Sequence, residues 1–451
     1  MEQLQAGTSY GNPGLDSVDR PDALSSANKI RIEDRSVHDW YRFVLSFPPH
    51  LVRNYLTRFK IRPGQVVLDP FCGTGTTLVE CKKRRIRSLG VERNPMACFA
   101  SHVKTSWNPD AAALRHHARQ IAGQASQRLL QDGTEAEELP FLSELPDPDR
   151  QLMTLAPDAW KLLLKNSISP LPLHRVLVLQ EALIEHQRHD LNCHETLALA
   201  KTIVFGAGNL HFGPEVGVGR PKKDAPVADM WLRNMLIMAE DLEELGPGPF
   251  APADVLDGDA RDVSGLIEEG SVDAVITSPP YPNEKDYTRT TRLESVILGF
   301  MKDKADLRAI KQDLIRSNTR NVYKDDGDDT WVRDHEEIRG ICEAIEKRRT
   351  ELGKTSGFER MYARVTKLYF GGMARHLGQL RRVLRPGAQL AYVVGDQASY
   401  LQVMIKTGEL LKSIAQSLGY EIVSLDLFRT RLATATKQQL REEVLVLRWK
   451  G

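Results

Sequence analysis

Residues 65–95, QVVLDPFCGTGTTLVECKKRRIRSLGVERNP, constrain the fold more tightly than any other part of the chain. QVVLDP is apolar and β-branched, too short for a helix, and is stopped by Pro70, so it reads as a buried strand. GTTLVECKKRR opens a helix behind two glycines, and RSLGVE returns as a second strand that ends at Glu92. A β-loop-α-β unit of this kind makes its two strands run parallel, and a parallel sheet has to be covered on both faces.

The rest of the chain repeats the alternation. ADVLDGDARD at 253–262 and VDAVITSPPY at 272–281 read as a third and a fourth strand with their exit turns. RHLGQLRRVLRPGAQLAYVVGD at 375–396 is a helix, a Pro-Gly turn and a fifth strand; YEIVSLDLFRTR and REEVLVLRW supply two closing strands. The expected fold is α/β, a mainly parallel seven-stranded sheet with helices on both faces and ligands bound at the carboxyl ends of the strands. Two mainly helical insertions interrupt it. The chain divides into a loose tail (1–30), a first half of the sheet domain (31–107), an insertion (108–250) with a loop-rich stretch at 211–227, a second half (251–300), another insertion (301–365) and closing strands (366–451).

Composition removes several classes of function. With 451 residues, 41% hydrophobic and 27% charged, the chain is ordinary globular material able to bury a large core. Its formal net charge is only +1, so any nucleic-acid surface has to be local. The cysteines, Cys72, Cys81, Cys98, Cys193 and Cys342, are scattered and lack a CxxC pair, which argues against a disulfide framework and against a metal site. No apolar stretch reaches spanning length and no signal segment is visible, so a cytoplasmic protein without membrane contact is expected.

Polar residues gather at the strand ends. In DPFCGTGTT, 69–77, Gly73 and Gly75 let the backbone approach a ligand, and the helix N-terminus at Thr76 presents free N–H groups. There is no GxxxxGK[ST] and no third glycine at GxGxxG spacing, which disfavours a phosphate ligand. Glu92 ends the next strand, where a carboxylate can take both ribose hydroxyls of an adenosine. Asp259, or the backbone beside it at Ala260, is placed to accept from an adenine amino group. Strand ends that converge in this way suit a nucleoside.

DPFCGTGTT together with TSPPY, 277–281, resembles the S-adenosylmethionine-dependent amino-methylating DNA methyltransferases, the N4-cytosine/N6-adenine type. The resemblance covers residues 36–106 and 253–298, and more loosely 370–450. It implies a Rossmann-like class I methyltransferase fold. It implies further that Asp69, Pro70, Phe71, Gly73, Gly75 and Thr76 form the loop that binds the methionine part of the cofactor, that Glu92 holds the ribose, and that FPPHL at 47–51, with Phe47 and Pro48, closes over the methionine end. Double-stranded DNA is the implied substrate. A cognate restriction nuclease or other defence-system subunit is the implied partner. The long insertion between the second and third strands departs from the family's simplest pattern, and target recognition can belong to either insertion or to both.

TSPPY suits an amine. The exocyclic amine of cytosine or adenine is a poor nucleophile because its lone pair is delocalised into the ring, and acceptors aimed at its N–H bonds bend it towards tetrahedral geometry. The Ser278 side chain and the Pro279 carbonyl are such acceptors, held in direction by the locked φ angles of Pro279 and Pro280. Tyr281 offers a flat face for an extruded base. Carbon-5 methylation, which needs a cysteine nucleophile commonly borne on a Pro-Cys loop, does not fit, since the chain has no Pro-Cys dipeptide. Serine at the first position of the tetrapeptide is associated, by resemblance, with cytosine N4 more than adenine N6. An N6-adenine enzyme, an RNA or protein-amide methyltransferase, and a non-catalytic subunit stay open as alternatives. For phosphate contacts the candidates are Arg289 and Arg292 with Tyr287 in DYTRTTR, 286–292, and the cations of GRPKKD, 219–224, whereas CKKRRIR at 81–87 reads as a solvated face.

Overall fold

The computed structural model describes residues 30–42, 46–134, 152–212, 215–433 and 438–451. Apart from Ile30, the tail expected at 1–30 lies outside the described residues. The strands are β1 (Val66–Asp69), β2 (Arg87–Glu92), β3 (Leu210–Phe212), β4 (Val216–Val218), β5 (Ala253–Asp257), β6 (Val272–Thr277), β7 (Leu384–Gly395), β8 (Glu421–Leu432) and β9 (Gln439–Arg448). Seven of them form one sheet in the order β5-β2-β1-β6-β7-β9-β8. Its pairings are parallel from β5 through β7, and β9 runs antiparallel between β7 and β8. This is the α/β, mainly parallel architecture expected of a Rossmann-like class I methyltransferase.

Period-2 alternation sends successive residues to opposite layers. Val67, Ala274, Ile276, Ala391, Val393, Val444 and Val446 pack against Leu51, Val52, Tyr55 and Leu56 of the helix Pro49–Arg58. Their neighbours Leu68, Val275, Leu390, Tyr392 and Leu445 meet Tyr369, Phe370 and Met373 of the helix Tyr362–Val383 on the other face. Both faces are dry, which is why these strands read as continuous apolar runs.

The first insertion is built onto the sheet domain's own helix. Met96, Ala100 and Val103 of the helix Pro95–Lys104 share one cluster with Leu114 and Ile121 (helix Ala111–Gln131), Leu179 (Pro170–Glu185) and Trp231 and Met235 (Val227–Leu245). Trp40 joins the same cluster, and its Nε1 and the Val37 N–H both donate to Asp241 Oδ2, at 2.6 and 2.8 Å. Within the stretch expected to be loop, β3 and β4 form an antiparallel hairpin. Buried Asn209 anchors it: its N–H donates to the Ser167 carbonyl at 2.7 Å and its Oδ1 accepts from Lys222 N at 2.9 Å. The Pro-Gly turn expected before the fifth strand is absorbed into β7 as an irregularity, since Val272 pairs with Leu384 but Ala274 with Gln389.

Gly75 caps the helix Thr76–Lys83 with a φ of 82°. A Cβ there would lie 2.6 Å from Ser101 Oγ. Gly75→Ala is therefore expected to destabilise the protein by about 1–3 kcal/mol, from left-handed strain with the clash added. Chemical denaturation measures it, and an unchanged midpoint would show that the loop relaxes freely. No helix among the described residues is long and apolar enough to cross a membrane.

Candidate active site

The carboxyl ends of β1, β2, β5, β6, β7 and β8 open onto one cleft of about 550 Å³. Phe47, Pro70, Phe71, Gly73, Thr76, Glu92, Asp259 and Ala260 line it, as do Ser278, Pro279, Pro280 and Tyr281. Pro48, Asp69 and Gly75 lie behind its wall. Pro48 precedes the helix Pro49–Arg58. Asp69 is fully buried and accepts from Thr277 Oγ1 at 2.6 Å and from Phe71 N at 3.1 Å, so it braces the glycine loop against the catalytic strand. Burial pushes its carboxyl up to about 6.

At the end of β2, Glu92 accepts from the Gly73 N–H at 2.9 Å and from the Asn94 N–H at 2.8 Å, one bond to each oxygen. These bonds fix the carboxylate direction and set the glycine loop, whose Gly73 has a φ of 52°. Burial nevertheless outweighs them and raises the Glu92 pKa to about 7. Asp259 differs from its expected role. Both of its oxygens are taken by Arg261, whose Nε lies 3.0 Å from each and whose Nη2 lies 2.7 Å from Oδ2. Arg261 continues to Asp328 Oδ2 at 2.6 Å, so the acid belongs to a structural ion network. The Ala260 carbonyl itself pairs with His376 Nδ1 at 2.6 Å, and His376 stacks edge-on against Phe71.

The TSPPY loop is held from several sides. Ser278 Oγ donates to the Val393 carbonyl at 3.2 Å. The same hydroxyl also hydrogen-bonds the Tyr281 side chain, and in giving its proton to Val393 it keeps a lone pair that a ligand can use. The Pro280 carbonyl accepts from Tyr369 Oη at 2.8 Å, and the Tyr281 N–H donates to Tyr287 Oη at 3.1 Å. The Tyr281 ring lies against Gly395, where a Cβ would come within 3.1 Å of its Cε2. Downstream, the Ser317 hydroxyl and the Asn318 amide both donate to the Lys285 carbonyl, at 3.3 and 2.9 Å. Asp313, a few residues earlier, accepts from Arg93 Nε at 2.7 Å beside the cofactor strand. The second insertion thus touches both halves of the cleft.

One of the residues proposed for phosphate contact is turned inward. Arg292 is only 8% exposed and donates to Thr288 Oγ1 at 2.7 Å. All six residues of the helix Arg292–Ile297 are buried, and Arg292 at its start folds back onto Thr288 of the preceding turn. Tyr287 lines the cleft, and its hydroxyl accepts from the Tyr281 N–H at 3.1 Å. Arg289 reaches the hairpin, donating to the Val216 carbonyl at 3.4 Å. Among the cations of 219–224, Arg220 and Lys223 are exposed, while Lys222 bonds the Gly206 carbonyl.

Other cleft residues carried no motif. Gln397, Phe428, Arg429, Arg431 and Glu442 all line it from the β7, β8 and β9 side. The available signal was position, because FRTR ends a strand as TSPPY does. Asp313, Leu314 and Ile315 have no comparable signal, since only tertiary folding brings them to the cleft. No group of three or more His, Cys, Asp or Glu among the described residues is placed to hold a metal ion.

Comparison with known proteins bears on the same regions. Residues 23–101 match a family model described as DNA methylase. The type II methyltransferase M.BsoBI of Geobacillus stearothermophilus is 25% identical over 441 residues, 90% of this chain and 83% of the relative. The type II methyltransferase M.AvaI of Nostoc sp. is 29% identical over 178 residues, 38% of this chain and 36% of the relative. Among solved structures, TrmN from Thermus thermophilus is similar at 12% identity and a TM-score of 0.26, covering 89% of this chain and 48% of its own. The family match falls on the segment that builds the Gly73 and Glu92 side of the cleft, and M.BsoBI is similar along most of the chain, so this protein resembles the DNA methylases and type II methyltransferases in both respects.

Proposed function

We propose that this protein methylates the exocyclic amine of an extruded DNA base at specific sites, with S-adenosylmethionine as donor and cytosine N4 as the acceptor. The observation that carries the reading is the pairing, within one cleft, of the Ser278 hydroxyl with the Gly73 and Glu92 side of the site. The residues fit such a cofactor. Glu92 has about four lone-pair sites and spends two on backbone N–H groups, leaving two for ribose hydroxyls. Phe47, Phe71 and Gly73 would hold the methionine part, and the backbone at Ala260 the adenine. When bound, the cofactor supplies a methyl group activated on a sulfonium, which an amine nitrogen can take in one displacement.

The chain's own groups prepare the nitrogen. Ser278 Oγ and the Pro279 carbonyl accept its two N–H bonds as positive charge grows there, and they are oriented before the base arrives. Tyr281 stacks on the ring, and its position is fixed by Gly395 and Tyr287. No side chain needs to bond covalently to the base, and the surplus proton leaves to water. Serine in place of an acid at position 278 favours cytosine. A cognate nuclease or another defence-system subunit belongs to the same reading as partner.

Sequencing of host DNA with detection of modified bases, with and without the protein, tests this directly. N4-methylcytosine at a defined sequence is the expected result. N6-methyladenine would correct the base, and methylated RNA or protein with unmodified DNA would reject the substrate.

A further inference from the structure

A bulge in β8 aims side chains where a regular strand would not. Leu427 pairs with Glu443 and Arg429 with Glu442, so Phe428 is an extra residue. Phe428 and Arg429 are neighbours that a regular strand would send to opposite faces, yet both line the catalytic cleft. Arg429 is gripped by Glu442, with Nε 2.6 Å from Oε2 and Nη2 2.9 Å from Oε1. Its Nη1 has no protein partner among the described residues. The anchor stands beside the stacking ring, because a Cβ on Gly395 would lie 3.1 Å from both Glu442 Cγ and Tyr281 Cε2.

The sheet order says what this corner faces. From β6, which carries Ser278, the cofactor strands β1, β2 and β5 lie to one side, and β7, β9 and β8 to the other. A cation on β8 is thus on the base side of the catalytic loop. Glu442 offsets its charge in part, being shared with Arg431, whose Nε lies 3.5 Å from Oε1. Beside the amine, cytosine presents N3 and O2, both acceptors, whereas adenine presents N1 and then a C–H. A guanidinium N–H pair has two partners on the first and one on the second.

We propose that Arg429, held by Glu442, donates from Nη1 to the N3 and O2 edge of the extruded cytosine and so sets the choice of base. This rests on the methyltransferase reading given above.

Purified full-length protein is incubated with labelled S-adenosylmethionine and plasmid DNA from a methylation-free host, and the DNA is digested to nucleosides. The wild type should yield N4-methyldeoxycytidine. On duplexes carrying the mapped site, Arg429→Gln should lower kcat/KM by roughly ten- to a hundredfold, the worth of a good two-point contact to a base. It should also narrow discrimination against adenine placed at the target position, with cofactor affinity unchanged. Arg429→Lys, a point charge without the fork, should fall between. Full activity in Arg429→Gln, an equal loss on both bases, or loss of cofactor affinity in both variants overturns the proposal. N6-methyladenine from the wild type overturns it while leaving a DNA methyltransferase standing. No label in DNA overturns both.

Discussion

Replacing Ser278 with alanine is expected to lower kcat for methyl transfer on the order of 10²–10³, the usual effect of deleting one preorganised polar group aimed at developing charge. The size follows from the way the hydroxyl is held. Its proton is committed to the Val393 carbonyl, so the lone pairs are directed before substrate arrives and need not reorganise during the reaction. Alanine removes the acceptor, while the Pro280 carbonyl and the Tyr281 N–H keep their anchors in Tyr369 and Tyr287. Cofactor affinity, measured by calorimetry, should therefore stay constant. A variant that keeps near-normal turnover, or one that loses the cofactor instead, would show that Ser278 has another role.

Glu92→Gln should weaken cofactor binding roughly a hundred- to a thousandfold, the sum of two hydrogen bonds to a charged acceptor. The amide can satisfy only one of the N–H groups of Gly73 and Asn94, and it turns a donor towards the other. A pH dependence accompanies this. Burial raises the Glu92 pKa from 4.5 to about 7, so in the free enzyme the carboxyl is half protonated near neutrality. Ribose hydroxyls donate to the ionised form. Below pH 7 binding must therefore expel a proton, and affinity should fall by up to about tenfold per pH unit as the pH drops. The unliganded protein behaves oppositely: because its native state binds this proton more tightly than the unfolded chain does, the contribution of Glu92 to stability declines from pH 4.5 to about 7. Titration in buffers of different ionisation enthalpy measures the released proton. A flat affinity profile together with normal binding by Glu92→Gln would refute the ribose role.

The strands and the two principal loops were legible because local chemistry decides them. QVVLD and VDAVIT are apolar on both faces and end in proline or in residues that only a turn accommodates, and the burial of those strands bears the pattern out. What escaped depends on partners distant in sequence or on a shift of one residue in register. Arg292 reads as a free cation until the helix is seen to roll it onto Thr288. Asp259 reads as a ligand until Arg261 closes over it, although that pair was visible two residues apart. The bulge at Phe428 follows from pairing with β9, and no periodicity in FRTR announces it. The hairpin at 210–218 was hidden by its glycines, which read equally well as loop.

The shared core of the first insertion and the sheet domain limits how this enzyme can be re-engineered. Exchanging residues 108–250 for the corresponding block of a relative would strip the cover from Met96, Ala100 and Val103, and the donor block would have to fit those three side chains before it read any DNA. New target preferences are better sought by grafting onto the rim, at the hairpin anchored by Asn209, where changes leave the buried mosaic untouched.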